Sequence, residues 1–405
     1  MDPRISIGID NCFAIKRWVT PAEWGRVIRE MGLRYVECVA DLEIEPLLTP
    51  RECHDEWIDQ VMEQKARYGV EVVMMYSNDS TYDTVGFSHP DERIRNHYVQ
   101  NWFGEFLRIA GAIDAAVGYY VQGIPEEILY DRFRYGQAVE HYKECMDHVS
   151  QLARNNGVDT LALEQMYTPH QPPFTIKGMR ELMREMYRKN KFPLYMTEDV
   201  GHHCPYYLRP TEEKLERAFP RYCKDGYLPI WLGSKRAQKL YAKERQAGCG
   251  FLRKEVIREI LKDVEENEYL FSDVCDTDCY EWIRELGAYS PVIHMQQTDG
   301  LHSSHEAFSP ETNKNGIIHP VKVLRALKEC YDRPQDPTLP PRCDHIYLIQ
   351  EMYLSTKDIG YQGLYRLAWS TDYLRHFIPK DGMRLSELLA YNETSNEEGD
   401  DNYVA

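Results

Sequence analysis

The 405-residue chain lacks any apolar stretch long enough to cross a bilayer, and it starts without the basic and apolar regions of a signal peptide. We therefore expect a cytoplasmic protein with no membrane partner. Basic residues are scarce as well, because 48 Lys and Arg face 65 Asp and Glu, for a formal net charge of −17. Since binding of nucleic acid depends on a basic surface, this balance argues against a nucleic-acid partner and leaves small-molecule chemistry open.

The chain also lacks the pattern of a disulfide framework. Its 11 cysteines are an odd number scattered from Cys12 to Cys343, as expected for reduced thiols in a cytoplasm. Cys275 and Cys279 lie close together, but no second close pair of cysteines completes a zinc site. Composition is otherwise that of a soluble protein, and the length suits one large α/β domain.

Four apolar segments of the chain run directly into a residue that can bind a metal ion. They are LALEQ at Glu164, YMTED at Asp199, VIHMQ at His294 and YLIQE at Glu351. Buried carboxylates without a partner are rare, because an isolated charge away from water costs much free energy. Four such segments in series predict parallel strands whose carboxyl ends converge on one polar point. Three oxygen-bearing side chains and one nitrogen suit a divalent cation such as Mn²⁺, Mg²⁺ or Co²⁺.

An amphipathic helix, a glycine and an apolar strand follow one another repeatedly in the first half of the chain, at Gly32, Gly69 and Gly157. Glycine adopts the left-handed conformation that ends a helix, so the chain can turn at once into the next strand. The pattern predicts eight strands, at residues 5–10, 34–39, 71–76, 116–121, 160–165, 193–199, 291–296 and 346–351. Eight strands alternating with helices indicate an α/β fold, a closed (β/α)8 TIM barrel, although an open doubly wound sheet has the same pattern.

Side-chain alternation predicts which residues of a barrel strand face the axis. The candidates share a face with small or apolar residues, in the pairs Ala162 and Glu164, Val292 and His294, and Ile349 and Glu351. The polar groups are therefore expected at the end of the barrel where active sites form. The alternative for each one is a solvated strand end or a structural ion pair.

Spacing along the chain predicts a helical insertion. Asp199 and His294 lie 95 positions apart, far more than one strand–helix step requires, and about residues 204–275 contain three helical patterns. Because barrel insertions on this side lie over the active site, this insertion is a candidate lid or oligomer contact. We expect a single barrel domain over residues 1–380, then a C-terminal extension over 381–405 with an acidic tail, NETSNEEGDDNYVA, that is disordered.

Further candidate residues lie near the predicted strand ends. His202 follows Asp199 in a D-x-x-H spacing, which places its ring within reach of a substrate oxygen, whereas His203 is expected to be an ordinary loop histidine. Candidates for contacts with substrate hydroxyls or for ordering the histidine ligand are Glu37, Tyr76, Gln296, Asp299 and His170, the last in the loop PHQPP. Each of them could equally be a packing or rim residue.

The order of these residues resembles the xylose-isomerase-like TIM-barrel sugar isomerases and epimerases. Glu on the fifth strand, D-x-x-H on the sixth, His on the seventh and Glu on the eighth carry the resemblance, which covers about residues 5–375 except the insertion. The phrases LEQMYTPHQPPFT (163–175) and HMQQTDGLHSSH (294–305) look most similar to the branch of the erythrulose 1-phosphate 3-epimerases.

This resemblance implies that Glu164, Asp199, His294 and Glu351 hold a divalent metal, most commonly Mn²⁺, and that His202 contacts the substrate. It also implies that Glu164 and Glu351 act as an acid/base pair, that the substrate is a sugar or sugar phosphate, and that the protein forms a dimer or tetramer. Removing a proton beside a ketone creates an enediolate, whose charge a cation stabilises. If one glutamate takes the proton and the other returns it on the opposite face, the stereocentre is inverted.

Other outcomes of the same chemistry stay open. Moving the proton between adjacent carbons gives aldose–ketose isomerisation, and expelling a neighbouring group gives a keto-sugar dehydratase or lyase. A sugar-binding barrel without catalysis is the alternative outside enzymes. A phosphate on the substrate would need cations, and Lys235 in WLGSKR, at the start of a helical stretch, is a candidate for that contact. The alternative for Lys235 is a solvated basic helix face.

Overall fold

The chain folds around a sheet of parallel strands that closes on itself. The computed structural model describes residues 1–15, 17, 20–77, 85–248, 250–354 and 358–397. The strands are β1 (Arg4–Asp10), β2 (Tyr35–Val39), β3 (Glu71–Tyr76), β4 (Ala116–Tyr119), β5 (Leu161–Glu164), β6 (Leu194–Asp199), β7 (Val292–Met295) and β8 (His345–Gln350). Each pairs in parallel with its sequence neighbours, and β8 pairs with β1 to complete the circle. The predicted (β/α)8 barrel is confirmed, and an open sheet is excluded.

Helices connect the strands and surround the barrel. They are α1 (Pro21–Glu30), α2 (Arg51–Tyr68), α3 (Glu92–His97), α4 (Gly104–Ala112), α5 (Glu126–Leu129), α6 (Arg132–Asn155), α7 (Ile176–Asn190), α8 (Glu212–Asp225), α9 (Lys235–Gln246), α10 (Lys254–Glu266), α11 (Cys279–Leu286), α12 (Pro320–Asp332), α13 (Gln362–Phe377) and α14 (Leu385–Glu397). A π-helical segment, Tyr98–Phe103, joins α3 to α4. Across the described part of the chain, no helix is both long enough and apolar enough to span a membrane.

Glycines end three of the connecting helices as the sequence pattern predicts. Gly32, Gly69 and Gly157 have φ values of 73°, 67° and 76°, in the left-handed region that residues with a side chain rarely adopt. Gly69 is the C-cap of α2, and its amide donates to carbonyls of the last turn. These glycines let the chain pass directly from helix to strand, which keeps the strand ends aligned.

Strand register brings the candidate side chains together. Asp199 pairs with His294 across β6 and β7, and Asp10 pairs with Glu37 across β1 and β2. Inside the barrel, a small apolar cluster includes Ala162, Val292 and Ile349, whereas the alternate residues of the strands pack outward against the helices. The predicted faces of β5, β7 and β8 are therefore correct.

The long interval between β6 and β7 contains α8, α9, α10 and α11. The first three of these helices bury their own apolar residues against α5 and the first turns of α6, in a second hydrophobic cluster, whereas α11 packs in the main core. Phe219 and Tyr241, for example, are fully buried and pack edge to face with ring centroids 5.1 Å apart. The interval is thus anchored beside the end of β4, and its role as a lid or oligomer contact stays a prediction.

The C-terminal segment packs on the barrel more closely than predicted. A short strand, β9 (Met383–Arg384), pairs antiparallel with β1, and Leu385 and Leu388 of α14 are fully buried in the main core. The expectation of disorder is wrong for residues 392–397, which are helical. Asn392 explains the continuation, because its buried amide donates to the carbonyls of Phe377 and Leu388. The rest of the acidic tail, residues 398–405, lies outside the described residues.

Truncation of Leu388 tests whether this segment belongs to the folding unit. Leu388→Ala is expected to lower the free energy of unfolding by about 2–5 kcal/mol, because it removes buried methyl groups and leaves a cavity. Urea unfolding followed by circular dichroism measures the change. Glu393→Ala, an exposed position on the same helix, should change stability by less than about 0.5 kcal/mol. An equally small effect of Leu388→Ala would show that the segment folds independently of the barrel.

Candidate metal centre and active-site cavity

The four predicted ligands meet at the carboxyl end of the barrel. Glu164, Asp199, His294 and Glu351 are all buried, and one ligand atom from each lies within 4.8 Å of all the others. Nδ1 of His294 lies 3.1 Å from Oε1 of Glu164 and 3.5 Å from Oε2 of Glu351. The residues converge because the carboxyl ends of four neighbouring strands, β5 to β8, lie at one level of the barrel.

The donor set fits a divalent cation. Three carboxylates and one imidazole nitrogen are ligands suited to Mn²⁺, Mg²⁺, Co²⁺ or Zn²⁺. Oε2 of Glu351 is buried with no well-aligned hydrogen bond, and its nearest partners are the ring nitrogens of His305 at 3.3 Å and His294 at 3.5 Å. A cation among these four side chains would give this oxygen a closer partner.

Burial and neighbouring charges shift the pKa values of the carboxylates in the site. Burial raises the pKa of Asp10, and neighbouring carboxylates raise it further. Burial likewise raises the pKa of Asp199, while the charge of His202 opposes the shift. Glu351 differs, because the positive charges of His294 and His305 outweigh the effect of burial and hold its pKa at about 2. Burial thus opposes ionisation of Asp10 and Asp199, and a cation among the carboxylates would favour their charged forms.

Asp199 is held by three neighbours. The amide of Gln296 donates to both oxygens of Asp199, at 2.8 and 3.0 Å, and the backbone N–H of Gly201 donates at 2.7 Å. Nε2 of His202 lies 3.1 Å from Oδ2 of Asp199, and its Nδ1 donates to the carbonyl of Gln165 at 2.8 Å. The carboxylate thus has a fixed orientation before any ligand binds.

Gln296 and Asp299 contact different groups from those expected. Gln296 is fully buried and its side-chain oxygen accepts from the backbone N–H of His305 at 2.6 Å, so its polar atoms bind protein groups rather than open space or His294. Asp299 is exposed and accepts from the backbone N–H of Leu301 and of His302 in a turn. Its side chain orders that turn and does not contact His294.

Glu37 contacts the ring of His294 on the side opposite the other carboxylates. Its two oxygens lie 3.1 and 3.2 Å from Nε2 of His294, and the residue is 2% exposed. Such a carboxylate fixes the ring orientation of a histidine and directs the other nitrogen at a metal. Nδ1 is therefore the nitrogen of His294 that is available to a cation beside Glu164 and Glu351.

A cavity of about 300 Å³ opens onto this centre. Four carboxylates and four tyrosines dominate its lining, with two histidines among them. The lining residues are Asp10, Glu37, Val39, Tyr76, Tyr120, Glu164, Met166, Tyr167, His202, Ser303, His305, Glu351 and Tyr353. Within the described part of the chain this lining contains no Lys or Arg. Aromatic walls with a few convergent polar groups are typical of a site for a small polar molecule.

Three of the predicted substrate contacts line this cavity, and three, among them the Gln296 described above, do not. Glu37, Tyr76 and His202 lie in its wall. His170 lines a neighbouring cavity instead, where its Nδ1 bonds the carbonyl of Ile124 at 2.7 Å. Lys235 lies at the start of α9, with its Nζ 5.0 Å from the ring centroid of Tyr130, and is not in the lining.

Two residues of the site were missed by sequence reasoning. Asp10 ends the apolar strand ISIGID, the same pattern that marks the four ligands, so the sequence contained the information needed to find it. His305 follows no strand, and its backbone has a positive φ of 47°. Its Nδ1 lies 3.3 Å from Oε2 of Glu351, a contact that only the folded loop creates.

Comparison with known proteins finds similarity to a family of TIM barrels. Residues 26–224 match the sequence profile of the family described as xylose isomerase-like TIM barrel. The curated D-erythrulose 1-phosphate 3-epimerase of Brucella abortus is 20% identical over 244 residues, which are 60% of this chain and 58% of that protein. The chain thus aligns with less than two thirds of this relative's length.

Solved structures agree on the fold. A candidate xylose isomerase of Rhodospirillum rubrum superposes with a TM-score of 0.65 at 15% identity, over 92% of this chain and 99% of that one. A D-psicose 3-epimerase of Clostridium cellulolyticum, solved with D-tagatose, superposes with a TM-score of 0.52 at 12% identity, over 92% and 98%. At such low identity these likenesses establish the barrel and not its substrate.

Proposed function

We propose that this chain, which belongs to the xylose isomerase-like TIM barrel family, is a divalent-metal-dependent epimerase that inverts the carbon beside the carbonyl of a ketose or ketose phosphate. The observation that carries the proposal is the placement of Glu164 and Glu351. They extend from β5 and from the end of β8 into one cavity, with His294 in contact with both. Two carboxylates in one buried cavity are suited to proton transfer at a carbon between them.

We assign metal binding, proton transfer and substrate binding to particular residues of the site. A divalent cation, when bound, supplies positive charge beside the carbonyl and the adjacent hydroxyl of the sugar. Glu164, Asp199, His294 and Glu351 would hold it. One of the two glutamates accepts the proton from the carbon next to the carbonyl, and the other returns a proton to the opposite face. Tyr76, in the cavity wall, is placed to bind a sugar hydroxyl, whereas His202, whose two ring nitrogens contact Asp199 and the carbonyl of Gln165, offers the substrate the edge of its ring.

Several features of the cavity support proton transfer at a buried carbon. Glu164 and Glu351 are 5% and 7% exposed, so little water competes for the proton. The positive charges of His294 and His305 lower the pKa of Glu351 despite its burial, so this carboxylate is ionised before substrate binds. Nδ1 of His305 lies 3.3 Å from Oε2 of Glu351, so its ring is placed to assist proton transfer at that oxygen.

Proton exchange in D₂O tests the function. The Mn²⁺-loaded protein is incubated with a panel of free ketoses and ketose phosphates, and NMR locates the deuterium and the stereochemistry. Deuterium at C3 with inversion supports epimerisation, whereas deuterium at C1 or C2 with a new aldehyde supports the aldose–ketose isomerase. Loss of a hydroxyl or glycosyl group supports the dehydratase or lyase. Binding without exchange supports a sugar-binding barrel.

Metal binding is expected to depend on Asp199. Mn²⁺ added to the metal-free protein should bind with one ion per chain and raise Tm, since a ligand of the folded state at 100 times its Kd stabilises by about 2.7 kcal/mol. Asp199→Asn should lose most of this increase. Isothermal titration and thermal unfolding measure both effects. Asp299→Asn, an exposed aspartate in a nearby turn, is the control. Equal Tm increases in the two variants would contradict the site.

Removal of the Glu351 carboxylate is expected to separate chemistry from metal binding. Glu351→Gln keeps an oxygen for the cation but cannot accept a proton, so turnover should fall by about 10²–10⁴-fold while much of the metal affinity survives. The rate of C3 exchange and a Mn²⁺ titration on the same preparation measure the two quantities. Glu306→Gln, an exposed glutamate next to His305, should leave both unchanged. Near-normal exchange in Glu351→Gln would refute the assigned role.

Glu37 is expected to act through His294 rather than on the sugar. Glu37→Leu should weaken metal binding by about 10–100-fold, because the ring of His294 loses the partner that orients it. Glu37→Gln should recover most of the affinity, since its amide oxygen still accepts from Nε2. The visible absorption of the Co²⁺-substituted protein reports the ligand geometry. If metal affinity is unchanged and only KM rises, Glu37 is a substrate contact.

A further inference from the structure

A second cavity adjoins the first at Tyr167. It has a volume of about 700 Å³ and lies between the loop that follows β4 and the loop that follows β5. Its lining residues are His89, Pro90, Gly123, Ile124, Pro125, Glu126, Tyr167, Thr168, His170, Gln171 and Tyr207. Tyr167 lines both cavities, so the second one begins where the metal-facing cavity ends.

The loop after β4 and the loop after β5 contribute residues to both cavities. The loop after β4 contributes Tyr120 to the first cavity and residues 123–126 to the second. The loop after β5 contributes Met166 to the first and Thr168 to the second, with Tyr167 shared. The two cavities thus share the side chain of Tyr167 and take neighbouring walls from the same two loops.

Direct hydrogen bonds hold the two loops in place. The backbone N–H of Ile124 donates to the carbonyl of His170 at 2.7 Å, and the ring of His170 bonds the carbonyl of Ile124 at 2.7 Å. The side chain of Gln171 donates to the carbonyl of Val121 at 3.0 Å. The second cavity thus has a braced wall, which reduces the ordering cost of binding.

The chemistry of the second cavity is polar but without positive charge. Tyr167, Tyr207, Pro90 and Pro125 supply flat apolar surfaces, and Glu126 adds a carboxylate. Neither cavity has Lys or Arg in its described lining, and four carboxylates line the first. Rings that offer an apolar face beside hydrogen-bonding groups suit a sugar unit. A phosphate in the second cavity would meet the carboxylate of Glu126 and no Lys or Arg.

We propose that the second cavity is a subsite for an uncharged sugar unit joined to the reacting ketose, so that the natural substrate extends beyond a single monosaccharide. The proposal rests on the ketose chemistry assigned to the first cavity. That cavity, at about 300 Å³, is at the lower end of the range of about 300–1,000 Å³ for small-molecule sites. The second cavity, at about 700 Å³, has room for the additional sugar unit that the first cavity cannot hold.

A pair of neighbouring variants tests the subsite. Glu126→Trp places a large ring in the second cavity, whereas Glu127→Trp places the same ring one position further on α5, outside the lining. Both glutamates are exposed in the first turn of α5, so neither change disturbs a core. The probes are D-fructose, its 4-O-galactosyl and 6-O-glucosyl disaccharides, and D-fructose 6-phosphate. Calorimetry on the Mn²⁺-loaded protein measures their affinities.

The wild type and Glu127→Trp are expected to bind at least one disaccharide about tenfold more tightly than D-fructose or its phosphate. Glu126→Trp should abolish this preference without weakening D-fructose binding. Equal affinities in the wild type, tighter binding of the phosphate, or a preference that survives Glu126→Trp would overturn the subsite. C3 exchange in D₂O is recorded on the same samples. Disaccharide preference without exchange supports the subsite but refutes the epimerase, and exchange without preference does the reverse.

Discussion

Repulsion among buried carboxylates is the constraint around which this site is arranged. Asp10, Glu37, Glu164, Asp199 and Glu351 are all less than 10% exposed and meet at one end of the barrel. Three histidines face them: His294 contacts Glu37, Glu164 and Glu351, His202 contacts Asp199, and His305 contacts Glu351. Burial raises the pKa of Asp10, Glu37 and Asp199 and so opposes ionisation of all five acids together. A divalent cation would compensate their charge, so affinity for metal and the cost of burial have one origin.

The barrel and the metal-facing residues could be predicted because one periodic pattern encodes both. An apolar strand that runs into a carboxylate or imidazole is visible in sequence, and parallel closure then aligns the strand ends without further information. Side-chain alternation correctly placed Ala162, Val292 and Ile349 inside the barrel. Asp10 ends the apolar strand β1 in the same pattern, so its place at the strand ends is equally encoded in the sequence.

Contacts between segments distant in sequence could not be predicted. Lys235 is far from the cavity because α9 packs with α10 against α5 and α6, and no local pattern encodes that packing. His305 reaches Glu351 only because Gln296 binds its backbone N–H and the chain turns back with a positive φ. The helical end at residues 392–397 depends on Asn392 finding the carbonyl of Phe377. In each case a tertiary hydrogen bond or apolar contact decides where a polar residue lies.

The residues proposed to carry out the reaction and the residues that would contact the rest of the substrate lie in different parts of the fold. The proposed metal ligands lie on strands or directly after them, where register fixes their positions within the rigid barrel. The walls that would contact the rest of a substrate lie on loops, as in Tyr120, Tyr167 and His170. Strand ends in register can persist among distant relatives, whereas loops change freely. Under the proposed function, the strand ends would therefore fix the proton transfer, and the loops after β4 and β5 would decide which sugar is accepted.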